Sequence, residues 1–168
     1  LYEKLLHDVK PERMKLKDHH IHRKKNWWLY GTAGKAWLHR VGRGELFREH
    51  PSDWDGGAQP LTQVMVFATG ATKYPCFALV PNRPIFSHSL GVIASDSMSL
   101  FACLSSDIHA MWAWETGSRM KNDLRYTHGD IFETFPFPAS VHRVGDPGLE
   151  TLGGEFFEAR SMYMRTFE

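Results

Sequence analysis

The stretch from Leu100 to Trp112 constrains the fold most. Leu100, Phe101, Leu104, Ile108, Met111 and Trp112 recur at steps of three and four, which puts them on one face of an α-helix. Asp96 or Ser97 can accept hydrogen bonds from its first N–H groups, and Gly117 can end it. A helix with one broad apolar face must bury it against another layer. The preceding sequence supplies that layer. Val64–Ala68, Cys76–Val80 and Leu90–Ala94 are short β-rich runs, separated by a turn at Gly70–Tyr74 and by Pro81-Asn82-Arg83-Pro84. Extended chain is expected again over Lys121–Thr127 and Ile131–Phe135, closed by Pro136 and Pro138. The expected fold is α+β: a small, mostly antiparallel sheet with a central packed helix and helical arms at both ends.

The arms are read from periodicity. Leu1, Leu5, Leu6 and Val9 have helical spacing, and Pro11 either kinks that helix or starts a second one. Residues 50–60 form a loop by composition. A Gly/Pro linker at Val144–Gly148 leads to a last helix. At 168 residues the chain can bury one core, and it holds no run of about 18 apolar residues of the kind that spans a membrane. Cys76 and Cys103 both lie in apolar runs and are read as reduced core residues, as in a cytoplasmic protein. The chain opens at Leu1 without an initiator Met or a signal peptide, and is read as a piece of a longer protein.

The net charge is +1, but the first fifty residues hold twelve Lys/Arg against six Asp/Glu, and six of the ten histidines. That third suits a polyanion partner as well as it suits a solvated basic helix. Enzyme motifs are absent: there is no P-loop, GxGxxG, CxxC or Gly-x-Ser-x-Gly elbow. His19, His20 and His22 cluster, but a basic surface patch explains them better than a metal site, which needs ligands converging on one point. His109 reads as a satisfied, partly buried histidine. Over 121–127 a strand would place Lys121, Asp123 and Arg125 on one face and Asn122, Leu124 and Tyr126 on the other. The charged face suits either an exposed edge strand or base-pair edges, where Lys or Arg donates to guanine and Asp accepts from cytosine.

Three runs, read together, carry a family resemblance. Leu100-Phe101-Ala102-Cys103-Leu104-Ser105-Ser106-Asp107-Ile108-His109-Ala110-Met111-Trp112 resembles the F-x-x-L-S-S-x-x-H-x-x-W helix of Eco57I/MmeI-like type II restriction–modification enzymes. Arg125-Tyr126-Thr127 followed by Ile131-Phe132-Glu133-Thr134-Phe135-Pro136-Phe137-Pro138 is similar to their R-Y-[ST]…[IV]-[FY]-x-x-F-P-[FW]-P signature. Lys10-Pro11, Arg13, Arg23 and Trp27-Trp28-x-Tyr30 resemble the segment leading into their target recognition domain.

The resemblance implies a sequence-specific reader of duplex DNA with no activity of its own. It implies a parent that methylates adenine N6 with S-adenosylmethionine and, where it also cuts DNA, uses Mg. The Asn-Pro-Pro-Tyr-type motif of the family's preceding methyltransferase domain is absent from this chain. The implied division is a basic helical connector over 1–30, the recognition domain over 31–140 and the start of a helical segment over 145–168. The implied base readers are Lys121, Asp123 and Arg125, with Ser95 and Asp96 before the helix. Lys15, Lys17, Arg23, Lys24, Lys25, Lys73 and Arg83 are phosphate candidates, which position without specifying. No cofactor, metal or membrane is expected for the chain itself; its partners are double-stranded DNA and the methyltransferase domain. Trp112, Tyr126, Phe132, Phe135 and Phe137 are expected in the core, and Trp27 and Trp28 in packing or as a wedge at a base step. Two alternatives remain: an interaction domain of a phage-defence methyltransferase, and a metal-dependent nuclease using His19, His20 and His22.

Overall fold

A computed structural model describes residues 2–27, 35–43, 61–143 and 146–166. The chain divides into two compact units, Leu1–Asp55 and Gly56–Glu168.

In the first unit α1 (Tyr2–Lys4) passes through a π-helical turn (Leu5–Val9) into α2 (Lys10–Met14). Pro11 lies in the first turn of α2 but follows chain that is already helical, so its missing N–H leaves a carbonyl of the preceding turn without that donor. One turn earlier its ring would crowd a helical carbonyl, and the wider turn, closed by Lys10 N–H donating to Leu5 O, relieves that. A 3-10 turn (Asp18–His20) leads to α3 (Ile21–Lys25), and the Lys10 ammonium sits 5.2 Å from the centre of the buried Trp27 ring. The fourth helix, α4 (Lys35–Arg40), ends at Gly42, whose φ of 70° lets Arg43 N–H return to Leu38 O. The expected loop at 50–60, with Trp28 and Tyr30, lies outside the described residues.

The second unit holds two antiparallel three-stranded sheets. In the first, β1 (Gln63–Ala68) lies between β3 (Phe77–Pro81) and β4 (Leu90–Ile93). In the second, β6 (Asp123–Arg125) lies between β2 (Ala71–Thr72) and β5 (Ser118–Met120). Met65, Phe67, Phe77 and Leu79, two apart along β1 and β3, join Phe101, Leu104, Ala113, Leu124, Tyr126 and Ile131 in one core. The Phe67 ring lies over Gly91, its partner across the sheet, where any β-carbon would overlap the ring.

The structure corrects several expectations. Gly70–Tyr74 is not only a turn, because Ala71 and Thr72 pair with β6. Ile131–Phe135 is not extended: His128–Phe132 is a π-helical turn. Cys103 is buried, but Cys76 is exposed, preceding the inward-facing Phe77 at the start of β3.

The central helix is two helices, α5 (Met98–Leu104) and α6 (Asp107–Thr116). Ser105 closes the first, and the Ser106 hydroxyl accepts from His109 N–H to start the second. The break rotates the inward face, so His109 and Ala113 are buried while Ile108 and Met111 are each 73% exposed. Ile108 and Met111 line an open groove of about 770 Å³ with Trp112, Phe135, Pro136 and Pro138.

After α7 (Ala139–Arg143), the 19-residue helix α8 (Pro147–Arg165) packs on α5. Asp146 caps it, accepting from Gly148 and Leu149 N–H. Ser97, not Asp96, caps α5. Glu150 reaches the same helix end, where its carboxylate accepts from the N–H groups of Met98 and Ser99 at 3.1 and 3.0 Å and from the Ser97 hydroxyl at 3.0 Å. Partial burial raises the Glu150 pKa, but the bonds from Ser99, Ser97 and Met98 outweigh it and hold the carboxyl below its usual range. A folded pKa below the unfolded one gives stability that is present above the carboxylate range and lost as pH falls through it. Glu150→Ala should therefore cost about 1–3 kcal/mol at neutral pH by stranding those donors, and less in acid, as urea unfolding at both pH values would show. Among the described residues no helix is long and apolar enough to cross a membrane.

Candidate nucleic-acid interface

The site is built on the second sheet. Leu124 is fully buried, and its cross-strand partners Arg119, itself exposed, and Thr72, half-buried, lie on the same side of the sheet. Asp123 and Arg125, one residue to either side, face outward with their own partners Met120, Ser118 and Ala71. Arg125 is exposed and Asp123 half-buried. The outward face thus carries a donor and an acceptor two residues apart.

Lys121 departs from the expected strand. Lys121 and Asn122 are the two-residue turn between β5 and β6, and Lys121 has φ 57°. Its side chain therefore leaves from the tip, not from the row of Asp123 and Arg125. The left-handed conformation costs a residue other than glycine about 1 kcal/mol. Asn122 also sits in the turn, so the inward row is reduced to Leu124 and Tyr126. Lys73 follows directly on β2, beside β6.

The hairpin is held from behind. Arg119 donates to Trp114 O at 2.9 Å, capping a late carbonyl of α6, and its guanidinium lies 5.9 Å from the Trp114 ring centre. Tyr126, next after Arg125, is buried, and its hydroxyl shares a 2.9 Å hydrogen bond with His109 Nε2. Phe135 meets the His109 ring edge-on at 4.5 Å, and Phe137 packs against Phe135 and Phe132. The Trp112 indole N–H donates to Thr134 Oγ1 at 3.3 Å. The residues of the L-S-S-x-x-H-x-x-W, R-Y-T and F-P-F-P runs are therefore a structural frame behind the hairpin. Of the aromatic residues expected in the core, only Tyr126 is buried there; Trp112, Phe132 and Phe137 are half-buried against its edge, and Phe135, also half-buried, packs on His109 and lines the open groove.

His109 is 1% exposed, and burial lowers its pKa to about 4, while burial also pushes the Tyr126 hydroxyl up. The folded protein keeps His109 neutral where the unfolded chain, near 6.5, takes a proton. Stability should fall as pH drops from about 6.5 to about 4, by about 2–3 kcal/mol in total. Urea midpoints across that range should show a slope that His109→Gln flattens.

The other candidates lie elsewhere. Ser95 and Asp96 are on the loop leaving β4, not on the hairpin. The Ser95 hydroxyl accepts from Ser97 N–H at 3.2 Å, and Asp96 is exposed. Arg83 is exposed beyond β3. In the first unit Lys17 and Lys25 are exposed and Arg23 is half-buried, while Lys15 pairs with Glu12 at 2.6 Å and Lys24 with Asp18 at 3.0 Å. The His19 and His20 rings lie 4.0 Å apart, but His22 meets the Asn26 side chain at 3.2 Å. Among the described residues no three His, Cys, Asp or Glu side chains are grouped to hold a metal ion.

Alternation along 121–127 alone does not reach Met120 or Arg119. The signal for both is the turn dipeptide Lys121-Asn122, because once the hairpin is recognised Met120 falls opposite Asp123 and Arg119 opposite Leu124.

A family model described as the MmeI target recognition domain matches residues 47–139, more than half of the chain, and includes both sheets, the paired helices and the hairpin. No curated protein and no solved structure matches. The chain belongs to the MmeI target recognition domain family, and is a DNA target recognition module of a restriction–modification enzyme.

Proposed function

We propose that the chain reads a short sequence in duplex DNA through the outward face of the β5–β6 hairpin. The observation that carries this is Asp123 beside Arg125 on the side away from the core, with Lys121 at the tip. A two-stranded ribbon fits the DNA major groove, where each base pair shows a distinct pattern of donors and acceptors. Arg125 would donate to guanine O6 and N7, and Asp123 would accept from cytosine N4. Lys121, reaching from the tip, adds a donor to a base or a phosphate. Ser95 and Asp96 would add contacts from their own loop. Lys73, Arg83, Lys15, Lys17, Arg23, Lys24 and Lys25 would hold the backbone and set the salt dependence.

The module serves a type II enzyme acting in the cytoplasm, in defence against phage. A partner methyltransferase domain moves the methyl group of S-adenosylmethionine to adenine N6, and the parent uses Mg if it cuts DNA. The basic segment 1–30 would connect that domain to the recognition domain.

Selection from a randomised duplex library, at about 50 and 200 mM salt, tests the reading. An enriched motif at both concentrations is the expected result. Steeply salt-dependent binding without a motif would leave only a basic surface, and the reading would fail.

A further inference from the structure

Met120 stands out on the outward face of the hairpin. It pairs directly with Asp123 across β5 and β6, so the two side chains share that face with Ser118 and Arg125. It is 61% exposed, a large apolar side chain among polar ones, while its neighbour Arg119 is turned back to the Trp114 carbonyl. In the major groove only thymine offers an apolar group, its C5 methyl; every other position on the base edges is a donor, an acceptor or a ring C–H. Directly opposite residues of a hairpin stand about 5 Å apart, and base pairs stack about 3.4 Å apart. A hairpin that lays Asp123 on one base pair therefore brings Met120 to a neighbouring one.

We propose that Met120 is a specificity-determining residue that reads a C5-methyl pyrimidine next to the base pair contacted by Asp123. This rests on the reading of the hairpin as a major-groove element. Met is suited to the task because its unbranched, polarisable side chain adapts to the methyl without a fixed rotamer. It asks nothing of the cytosine or guanine edge, so it adds discrimination without competing with Arg125.

The test uses the motif selected by the wild-type chain. Asp123→Asn first marks the base pair that Asp123 contacts, as the position where the preference changes. Each thymine of the motif is then replaced in turn by uracil, which removes the methyl and leaves the pairing intact. One replacement next to the marked pair should weaken wild-type binding about fourfold, the equivalent of one buried methyl group. Met120→Ala and Met120→Gln should bind the thymine and uracil duplexes equally. An enriched motif with no sensitivity to uracil, or equal sensitivity in Met120→Ala and wild type, overturns the role of Met120 and leaves the hairpin reading standing. No enriched motif overturns both.

Discussion

Gly153→Val is expected to destabilise the second unit by about 3 kcal/mol or more. Gly153 is buried on α8, where it meets the start of α5, and even a β-carbon would overlap the Met98 carbonyl oxygen and crowd its carbon. The obstacle is backbone, so no rotamer change can relieve it. The helices would have to separate, and separation would draw the Glu150 carboxylate away from the N–H groups of Met98 and Ser99. It would also uncover Phe101, which is fully buried and meets Phe157 edge-on with ring centres 6.1 Å apart. Urea unfolding of wild type, Gly153→Ala and Gly153→Val should give a graded loss of midpoint. Gly154→Ala is the control, since a β-carbon there meets nothing within 4 Å. Equal midpoints for the Gly153 and Gly154 variants would show that α8 does not approach α5 this closely.

Arg125→Glu should reduce binding to the selected motif by about 100-fold. A well-placed Arg–guanine pair is worth about 1–3 kcal/mol of discrimination, and the reversed charge adds repulsion from the phosphates. Folding should be untouched, because Arg125 is exposed and no ion pair holds it among the described residues. The informative readout is the pattern of loss. A base reader loses preference at one position while other positions keep theirs. A phosphate contact instead lowers affinity evenly across sequences and reduces the salt slope by about one. An even loss would move Arg125 to the backbone and leave Asp123 as the acceptor on that face.

Glu150 and His109 both weaken the fold in acid, but at different pH. His109 resists protonation between about 4 and 6.5 because it is buried among rings. Glu150 loses its bonds only as its carboxyl takes a proton, below its usual range. Unfolding curves of the two variants therefore separate the sheet side of the core from the α5–α8 side.

The sequence by itself determined the α+β class, the three strands of the first sheet and the aromatic frame. It did so because these follow from short-range patterns: the apolar, β-rich runs of β1 and β3, Pro81 to Pro84 closing a strand, and Ser97 before the helical spacing that starts at Leu100. It also placed Asp123 and Arg125 on one face, since alternation along a strand is local. The family signature was legible for the same reason, as its residues recur at fixed spacings around His109 and Tyr126.

What only the tertiary structure decided lies where distant segments meet. Ile108 and Met111 fit the helical spacing, yet the turn at Ser105-Ser106 rotates them outward and buries His109, whose partner Tyr126 is 17 residues away. Ala71 and Thr72 become a strand only because β6 supplies their hydrogen bonds. Lys121 carries a side chain that favours neither strand nor left-handed turn, so pairing of Met120 with Asp123 on either side of it decides its conformation. Glu150 looks like an ordinary surface acid of a helix until α8 docks and brings it to the N–H groups of α5. In each case the deciding partner is distant in the sequence: a shared core at His109, and backbone pairing or hydrogen bonds at Ala71, Lys121 and Glu150.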